Sequence, residues 1–399
     1  MNRMPKLRFK EFNIKWEEKK LGDITKFSKG KLISKEDITE TGIECIRYGE
    51  LYTTYGEVIT KIVSKTNLNV KDLVLSEEND IIIPSSGETA IDIAKASCVT
   101  KSGVALSGDL NILKLNENGI FLSYYLNNKL KYQIASLAQG ASVVHLYENH
   151  LKKLKVLFPS LKEQQKIADF LSSIDKKISI TEEKLDLFKE YKKGIMQKIF
   201  NQELKFKDNN GNDYPEWEEK SFKDILIERK DIATDNEELY SLTIEKGVTP
   251  KEERYERDFL VNDEKEAYKI VLKNDFVYNP MNIRFGAVAQ FIENKPVKVS
   301  KYYNIFYSND YVNSYFFEKF IKTKRMFDLY NKLATGSLNE KKRLHFTDFL
   351  EIKQSFPCLE EQQKIANFLS SIDNKIDSLA TELEDLKEFK KGLLQQMFV

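Results

Sequence analysis

Cysteine and histidine are scarce. The 399 residues hold three of each, Cys45, Cys98 and Cys358 with His145, His150 and His345, and none stands in the paired spacing of a zinc site. Reduced thiols and no structural metal are expected. Long apolar runs are missing as well: stretches such as Ile81-Ile82-Ile83 fall far short of the ~18 residues that span a bilayer. Residues 1–12 lack the apolar stretch of a secretory leader, so a cytoplasmic protein without membrane contact is the expectation. An excess of one charge is also missing, because 63 basic side chains meet 62 acidic ones for a net charge of +1. General attraction to polyanions is excluded, and any nucleic-acid site must be local. What is present is 41% apolar and 31% charged residues in a chain longer than the ~250 to 300 residues at which one core stops growing. Two or more globular domains follow, and disorder as the dominant state does not fit.

An internal repeat divides the chain. Residues 158–178 read FPSLKEQQKIADFLSSIDKKI and residues 356–376 read FPCLEEQQKIANFLSSIDNKI, with 17 of 21 positions matching at an offset of 198. A weaker likeness continues through KEYKKGIMQKIF at 189–200 and KEFKKGLLQQMF at 387–398. The half starts correspond too, Trp16-Glu17-Glu18-Lys19 against Trp217-Glu218-Glu219-Lys220. The plan is domain, helix, domain, helix: 1–159, 160–200, 201–357 with a turn-rich connector at 201–215, and 358–399.

Each helix carries a narrow apolar stripe. From Ile167 the alternating spacing of four and three runs through Leu171, Ile174, Ile178, Thr181, Leu185, Phe188, Lys192, Ile195 and Ile199. Its copy runs Ile365, Leu369, Ile372, Ile376, Leu379, Leu383, Leu386, Lys390, Leu393 and Met397. This is the pattern of a coiled-coil seam, and a rod of forty residues, roughly 60 Å, needs that seam buried. The two seams most simply bury each other in antiparallel fashion. Ser160 with Glu163 three residues on reads as a capping box; Cys358 takes the cap position in the copy, where Glu360 and Glu361 favour the helix start. Aromatics outside the seam recur at Phe170/Phe368, Tyr191/Phe389 and Phe200/Phe398, either as a docking stripe or as packing against the adjoining domain.

Between the landmarks the halves diverge. Residues 80–96 read DIIIPSSGETAIDIAKA and residues 275–291 read DFVYNPMNIRFGAVAQF, so the apolar rhythm survives while the polar residues change. Short strands are expected at 80–83, 109–115, 275–278 and 303–307, with helices near 121–137 and 314–333. The fold class is therefore α+β: two mixed α/β domains alternating with two long helices that pair as an antiparallel coiled coil about a pseudo-twofold repeat.

This order resembles the specificity subunit of type I restriction-modification systems, over essentially the whole chain. The most specific marks are the two Leu-x-Glu-Gln-Gln-Lys-Ile-Ala helix starts, at 161–168 and 359–366. The stretches from Gly140-Ala141-Ser142 through His145-Leu146 to Phe158-Pro159, and from Gly336-Ser337 through His345-Phe346 to Phe356-Pro357, are similar to that family's domain endings, and so is 46–51 (IRYGEL). The resemblance implies two target-recognition domains that each read one half of a split site in double-stranded DNA, and helices that bind two methyltransferase (M) subunits. It implies restriction/translocase (R) subunits as further partners, with S-adenosylmethionine, ATP and magnesium used by those other subunits and no cofactor in this chain. A non-catalytic DNA-binding protein follows. The alternative is a coiled-coil scaffold whose two domains bind proteins.

Candidate DNA contacts in the first half are Lys29, Lys31, Arg47, Tyr48, the loop Ser85, Ser86, Gly87, Glu88, and Gln139, Gly140 and Ser142. Those in the second half are Asn279, Asn282, Arg284, Tyr302, Gly336, Ser337, Lys341, Lys342 and Arg343. Lysines and arginines suit phosphates, whereas Arg284, Asn282, Glu88 or Asn279 suit base edges. Each could equally be an ordinary solvated residue, and His145 and His345 read as satisfied core or backbone-bonding histidines rather than catalysts. Residues 1–200 carry a net charge of +6 and residues 201–399 one of −5. The second half must then gather Lys341-Lys342-Arg343, or Lys322 with Lys324-Arg325, on one face, or rely on partner subunits for affinity.

Enzyme readings fall short. Asn279-Pro280-Met281 resembles the Asn-Pro-Pro-aromatic motif of amino-methyltransferases but lacks the second proline and the stacking ring, and no glycine-rich cofactor turn accompanies it. Pro215-Glu216 with Glu228-Arg229-Lys230 is a weak nuclease-like pattern without a counterpart in the first half. No Gly-x-x-x-x-Gly-Lys-Ser/Thr loop for ATP exists.

Overall fold

The structure is a computed structural model and describes residues 4–31, 33–234, 236–251, 268–336 and 342–399. It divides into two compact units, Met1–Glu183 with Ala380–Val399, and Lys184–Leu379. Each unit holds one globular head, the start of one long helix and the end of the other.

The head of the first unit opens and closes on one antiparallel strand pair, Glu17–Lys20 with Lys155–Phe158. Its main sheet has five strands in the order Thr25–Lys29, Leu110–Leu115, Asp80–Pro84, Ser97–Val99, Val58–Ile59. A second sheet of four short strands lies over residues 38–66 and 105–106. The isoleucine run is explained by burial on both faces. Ile81 and Ile83 join the core beneath helix Gly119–Asn128, while Ile82 joins a separate core with Ile46 and Leu51. The second head repeats this logic: Phe276 and Tyr278 enter one core and Val277 another. Its framing pair is Glu218–Ser221 with Lys353–Phe356, and its main sheet runs Leu226–Arg229, Asn304–Ser308, Phe276–Tyr278, Val288–Gln290.

The expected strands are present with ends shifted by a residue or two. Each expected helix is instead broken in two. Gly119–Asn128 gives way to Lys131–Ser136, and Ser314–Ile321 to Lys324–Leu333. In the second head the break is a new helix start, because Thr323 Oγ1 accepts the Met326 N–H.

The long helices run Leu161–Phe200 and Leu359–Met397. Within the first unit Ile167, Leu171 and Ile174 share a core with Leu393 and Met397, so the start of one helix lies along the end of the other. Within the second, Ile365, Leu369 and Ile372 share a core with Ile199. Both pairings are antiparallel. Leu185 and Leu383 are buried, while Ile178 and Ile376 are only half-buried.

The repeated helix start is a weld to the head. Ser160 Oγ accepts the Glu163 N–H at 3.4 Å, half of the expected capping box, but the Glu163 carboxylate turns away from the cap to take Arg8 Nε and Nη2, both at 2.7 Å, and the Trp16 indole at 3.4 Å. Glu361 takes the Trp217 indole at 3.2 Å. Gln164 Oε1 accepts the Asn118 N–H at 3.0 Å and Gln362 Oε1 the Asn313 N–H at 2.8 Å, the residues that cap the first head helices. Both glutamines are buried and both donate to the preceding proline carbonyl. The motif is therefore a hydrogen-bonded joint.

The lysine inside each seam has a matching explanation. Lys390 lies 2.7 Å from Asp175 and 3.1 Å from Glu57, and the Tyr124 hydroxyl donates to Asp175 at 2.5 Å. Lys192 pairs with Asp373, which also accepts the Tyr315 hydroxyl at 2.6 Å and faces Lys319 at 3.2 Å. Burial alone would lower the Lys390 ammonium, but Glu57 and Asp175 more than offset it and hold it above the ordinary range. Burial alone would raise Asp373, but its bonds to Lys192 and Tyr315 and the Lys319 charge hold it below.

The aromatic stripe splits three ways. Phe170 and Phe368 meet Phe9 and Phe206 edge-on at 5.8 and 5.6 Å, Phe200 and Phe398 are buried, and Tyr191 and Phe389 are exposed. Phe9 and Phe206 extend the repeat backwards, since Leu7-Arg8-Phe9-Lys10 matches Leu204-Lys205-Phe206-Lys207. Burial raises the Cys45 and Cys98 thiols to about 11 and about 12, as suits inert packing residues.

Candidate nucleic-acid interface

In the first head Lys31, Arg47, Tyr48 and Ser85 converge on the turn at Ser107–Asp109. The chain after Lys29 passes Lys31, whose N–H donates to Leu106 O at 3.1 Å and which bridges to Ser107. The Tyr48 N–H donates to Ser107 Oγ at 3.1 Å. Buried Glu50 positions Arg47, accepting its backbone N–H at 3.0 Å and its guanidinium at 3.3 Å, and takes Ser64 Oγ at 2.6 Å. Lys35, Arg47, Tyr48, Tyr52 and Asp109 line a cavity of about 470 Å³ beside this turn.

Two loops complete the face. Ser86-Gly87 pairs with Val144-His145, and Gln139 exchanges backbone hydrogen bonds with His145 at 2.9 and 2.7 Å. The Ser85 N–H reaches Asp109 O and Ser85 O accepts the Leu146 N–H, both at 2.9 Å, so loop 85–88 joins the turn to segment 139–146. Gly140 is required there, since its φ is +128° and a Cβ would meet Val143 O at 2.0 Å.

The second head builds its counterpart from the same two loops. Loop 279–286 leaves the end of the matching central strand, Phe276–Tyr278. Asn279 Oδ1 accepts the Met281 N–H at 3.0 Å, and Asn279 O holds the Asn282 and Ile283 N–H groups. Thr335 and Arg343 exchange backbone hydrogen bonds at 2.9 and 2.8 Å around Gly336, whose φ is +146°. The Leu344 N–H donates to Pro280 O at 3.0 Å, the counterpart of the tie from Leu146 to Ser85. Two backbone ties recur in the two heads, Leu146 to Ser85 and Leu344 to Pro280, Gln139 with His145 and Thr335 with Arg343, and they support different side chains. A changed residue in such a loop alters what is presented without disturbing the core.

Lys29, Lys31, Glu88, Gln139, Gly140, Ser142, Asn282, Gly336 and Arg343 are exposed, and Arg47, Tyr48, Ser86, Asn279 and Lys342 are half-buried. Tyr302 is 78% exposed on the turn after Val297–Ser300, and none of the described contacts ties it to loop 279–286. Three expectations of surface exposure are corrected. Ser85 is tied at both backbone ends, Gly87 has Ile93 packed where a Cβ would stand, and Arg284 is 7% exposed, its Nη1 donating to Asn331 Oδ1 at 3.3 Å and its guanidinium lying 5.0 Å from the Phe285 ring. Ser337 and Lys341 lie outside the described residues. His145 and His345 are exposed rather than core residues; both are bonded through their backbones, His145 with Gln139 and His345 O with the Phe349 N–H at 2.9 Å.

Two features escaped the sequence reading. Tyr52 stacks edge-on against Tyr48 at 6.4 Å, one helical turn on, a spacing visible in the sequence. Met281 and Phe285 stand exposed on the second head's loop, Phe285 at 57%. The described residues contain no cluster of metal-ligating side chains, and no described helix is long and apolar enough to cross a membrane.

The model of the type I restriction modification DNA specificity domain matches the chain twice, over residues 13–189 and 198–388. The type I restriction enzyme MjaVIII specificity subunit of Methanocaldococcus jannaschii is 25% identical over 405 residues, covering 95% of this chain and 91% of that protein. The crystal structure of a type I restriction-modification S subunit from M. genitalium has the same fold, with a TM-score of 0.64 at 17% identity over 99% of both chains. A second solved structure, from work on assembly and conformational transition of a type I restriction-modification system, aligns with a TM-score of 0.54 at 12% identity over 96% of this chain and 97% of that one.

Proposed function

The chain belongs to the type I restriction-modification DNA specificity family, and we propose that its two heads read the two halves of one split DNA sequence while the paired helices fix the unread gap between them. Specificity subunits of this family recognise DNA sequence and are not themselves catalytic, so the chemistry resides in other subunits of their complexes. The observation that carries the reading is a pair of backbone ties made in both heads and filled with different side chains, Leu146 to Ser85 with Gln139 to His145, and Leu344 to Pro280 with Thr335 to Arg343. Two dissimilar presentations on a duplicated support suit an asymmetric bipartite target.

In this reading exposed Lys29, Lys31 and Arg343 approach phosphates, and Glu88, Gln139 and Asn282 approach base edges. The long helices receive two methyltransferase subunits, and restriction/translocase subunits join through them. S-adenosylmethionine, ATP and magnesium are used by those partners.

Selection from a pool of random duplexes, with the methyltransferase subunit present, tests the reading. A split motif supports it; enrichment of no sequence sinks it and leaves a protein-binding scaffold. Inserting a few residues between positions 179 and 183, inside the first long helix, should change the gap and leave both half-sites intact. Altered half-site bases with an unaltered gap would overturn the spacing role of the helices.

A further inference from the structure

The second unit contains a cationic cleft outside the two reading loops. A cavity of about 630 Å³ opens between the last turns of the first long helix and the start of helix Lys324–Leu333. Lys189, Lys192, Lys193, Lys322, Lys324 and Arg325 surround it, and Asp328 is the one acid in its wall. Met196, Phe200 and Phe327 supply an apolar lining.

Three of these cations already have acids. Lys192 pairs with Asp373, Lys322 with Glu318 at 2.8 Å, and Lys189 loosely with Asp186 at 3.9 Å. The other three do not. Lys193 and Lys324 have no ion-pair partner among the described residues, and Arg325 donates to the neutral amide oxygen of Gln354 at 2.8 Å. All three are exposed, so their charge is open to an anion that enters the cleft.

We propose that this cleft holds the phosphodiester backbone of DNA, with Lys193, Lys324 and Arg325 on phosphate oxygens and the apolar lining against deoxyribose. The proposal rests on the DNA-reading function and adds a sequence-independent anchor to it. Residues 201–399 carry a net charge of −5, so the second head gains from cations gathered in one place, Lys193 reaching it from the +6 half of the chain. The cleft supplies three beyond those of its reading loops. An apolar lining below a cationic rim accommodates a sugar-phosphate strand, with phosphates on the rim and deoxyribose on Met196, Phe200 and Phe327.

The test is binding of the full-length chain to a labelled random-sequence duplex across a salt series. The triple variant K193A/K324A/R325A should bind roughly 100-fold more weakly at 0.1 M salt and lower the salt slope by about 2 to 3, while K193R/K324R/R325K keeps most of both. Half-site bases obtained by selection should be unchanged. An unchanged slope in the alanine variant overturns the cleft while leaving the reading heads in place, whereas a wild-type chain that binds no duplex sinks the functional reading itself. Displacement of the duplex by a few millimolar inorganic phosphate at constant ionic strength would reassign the cleft to a small free anion. Loss of methyltransferase co-purification with intact duplex binding would reassign it to a protein.

Discussion

The two heads agree where they join the helices and differ where they meet solvent. Glu163 and Glu361 hold Trp16 and Trp217, Gln164 and Gln362 hold Asn118 and Asn313, and Tyr124 and Tyr315 hold Asp175 and Asp373. The exposed loops share only their backbone ties: the first head offers Ser86 and Glu88, the second Asn282, Met281 and Phe285. A duplicated joint with divergent tips means that the part fixing geometry has one solution and the part meeting the target has many.

That comparison is sharpened most strongly by core truncation. Leu171 and Leu369 occupy matching seam positions and are fully buried. Leu171→Ala and Leu369→Ala should each cost about 3 kcal/mol in chemical denaturation, equal to within about 1 kcal/mol. A large inequality would show that the two joints are not equivalent.

The seam lysines should differ instead. Removing Lys390 leaves Asp175 and Glu57 facing each other, whereas removing Lys192 leaves Asp373 still held by Lys319. Lys390→Ala should cost about 2 kcal/mol and Lys192→Ala about 1 kcal/mol, the pairs being partly solvated. The reverse order in denaturant midpoints would overturn the account of Lys319 as a second partner.

Their pH dependence should run in opposite directions. Asp373 is depressed in the folded protein, so its contribution is complete above the unfolded carboxylate value of about 3.9 and is lost as pH falls through the folded value. Lys390 is raised, so its contribution is complete below the unfolded value of about 10.4 and is lost as pH rises through the folded one. The stability difference between wild type and Asp373→Asn should shrink below about pH 4, and that between wild type and Lys390→Met above about pH 10. A difference flat across either window would remove the charge from the explanation.

The sequence carried the joints well and the tips poorly, for a physical reason. A seam repeats every seven residues and a duplicated motif repeats at 198, so Ile167, Leu171, Ile365 and Leu369 announce themselves. The partners of that motif lie far away in the chain: Glu163 bonds Arg8 across 155 positions and Gln362 bonds Asn313 across 49, and local capping rules placed the Glu163 N–H but not its carboxylate. Arg284 was taken for a surface reader because arginine usually is one, but the fold turns it inward onto Asn331. The cluster of Lys322, Lys324 and Arg325 was visible as a charge run, while Lys189 and Lys193 come to the same cleft from another element more than a hundred positions earlier.

The smallest expected effect asks whether the two heads hold DNA alike. Lys29 and Lys31 are exposed at one edge of the first face, and Lys342 and Arg343 stand half-buried and exposed beside the second head's loop. Each phosphate contact contributes about 0.9 to the salt slope, so Lys29→Ala with Lys31→Ala, and Lys342→Ala with Arg343→Ala, should each lower it by at most about 2 without changing the half-site bases. Equal losses would mean that both heads grip the backbone through the same peripheral positions. A loss confined to the first pair would leave the second head without a phosphate contact at its tip, and its electrostatics would then have to come from the cleft around Lys193 and Arg325. That outcome would make the heads unlike in their grip on the backbone as well as in the bases they read.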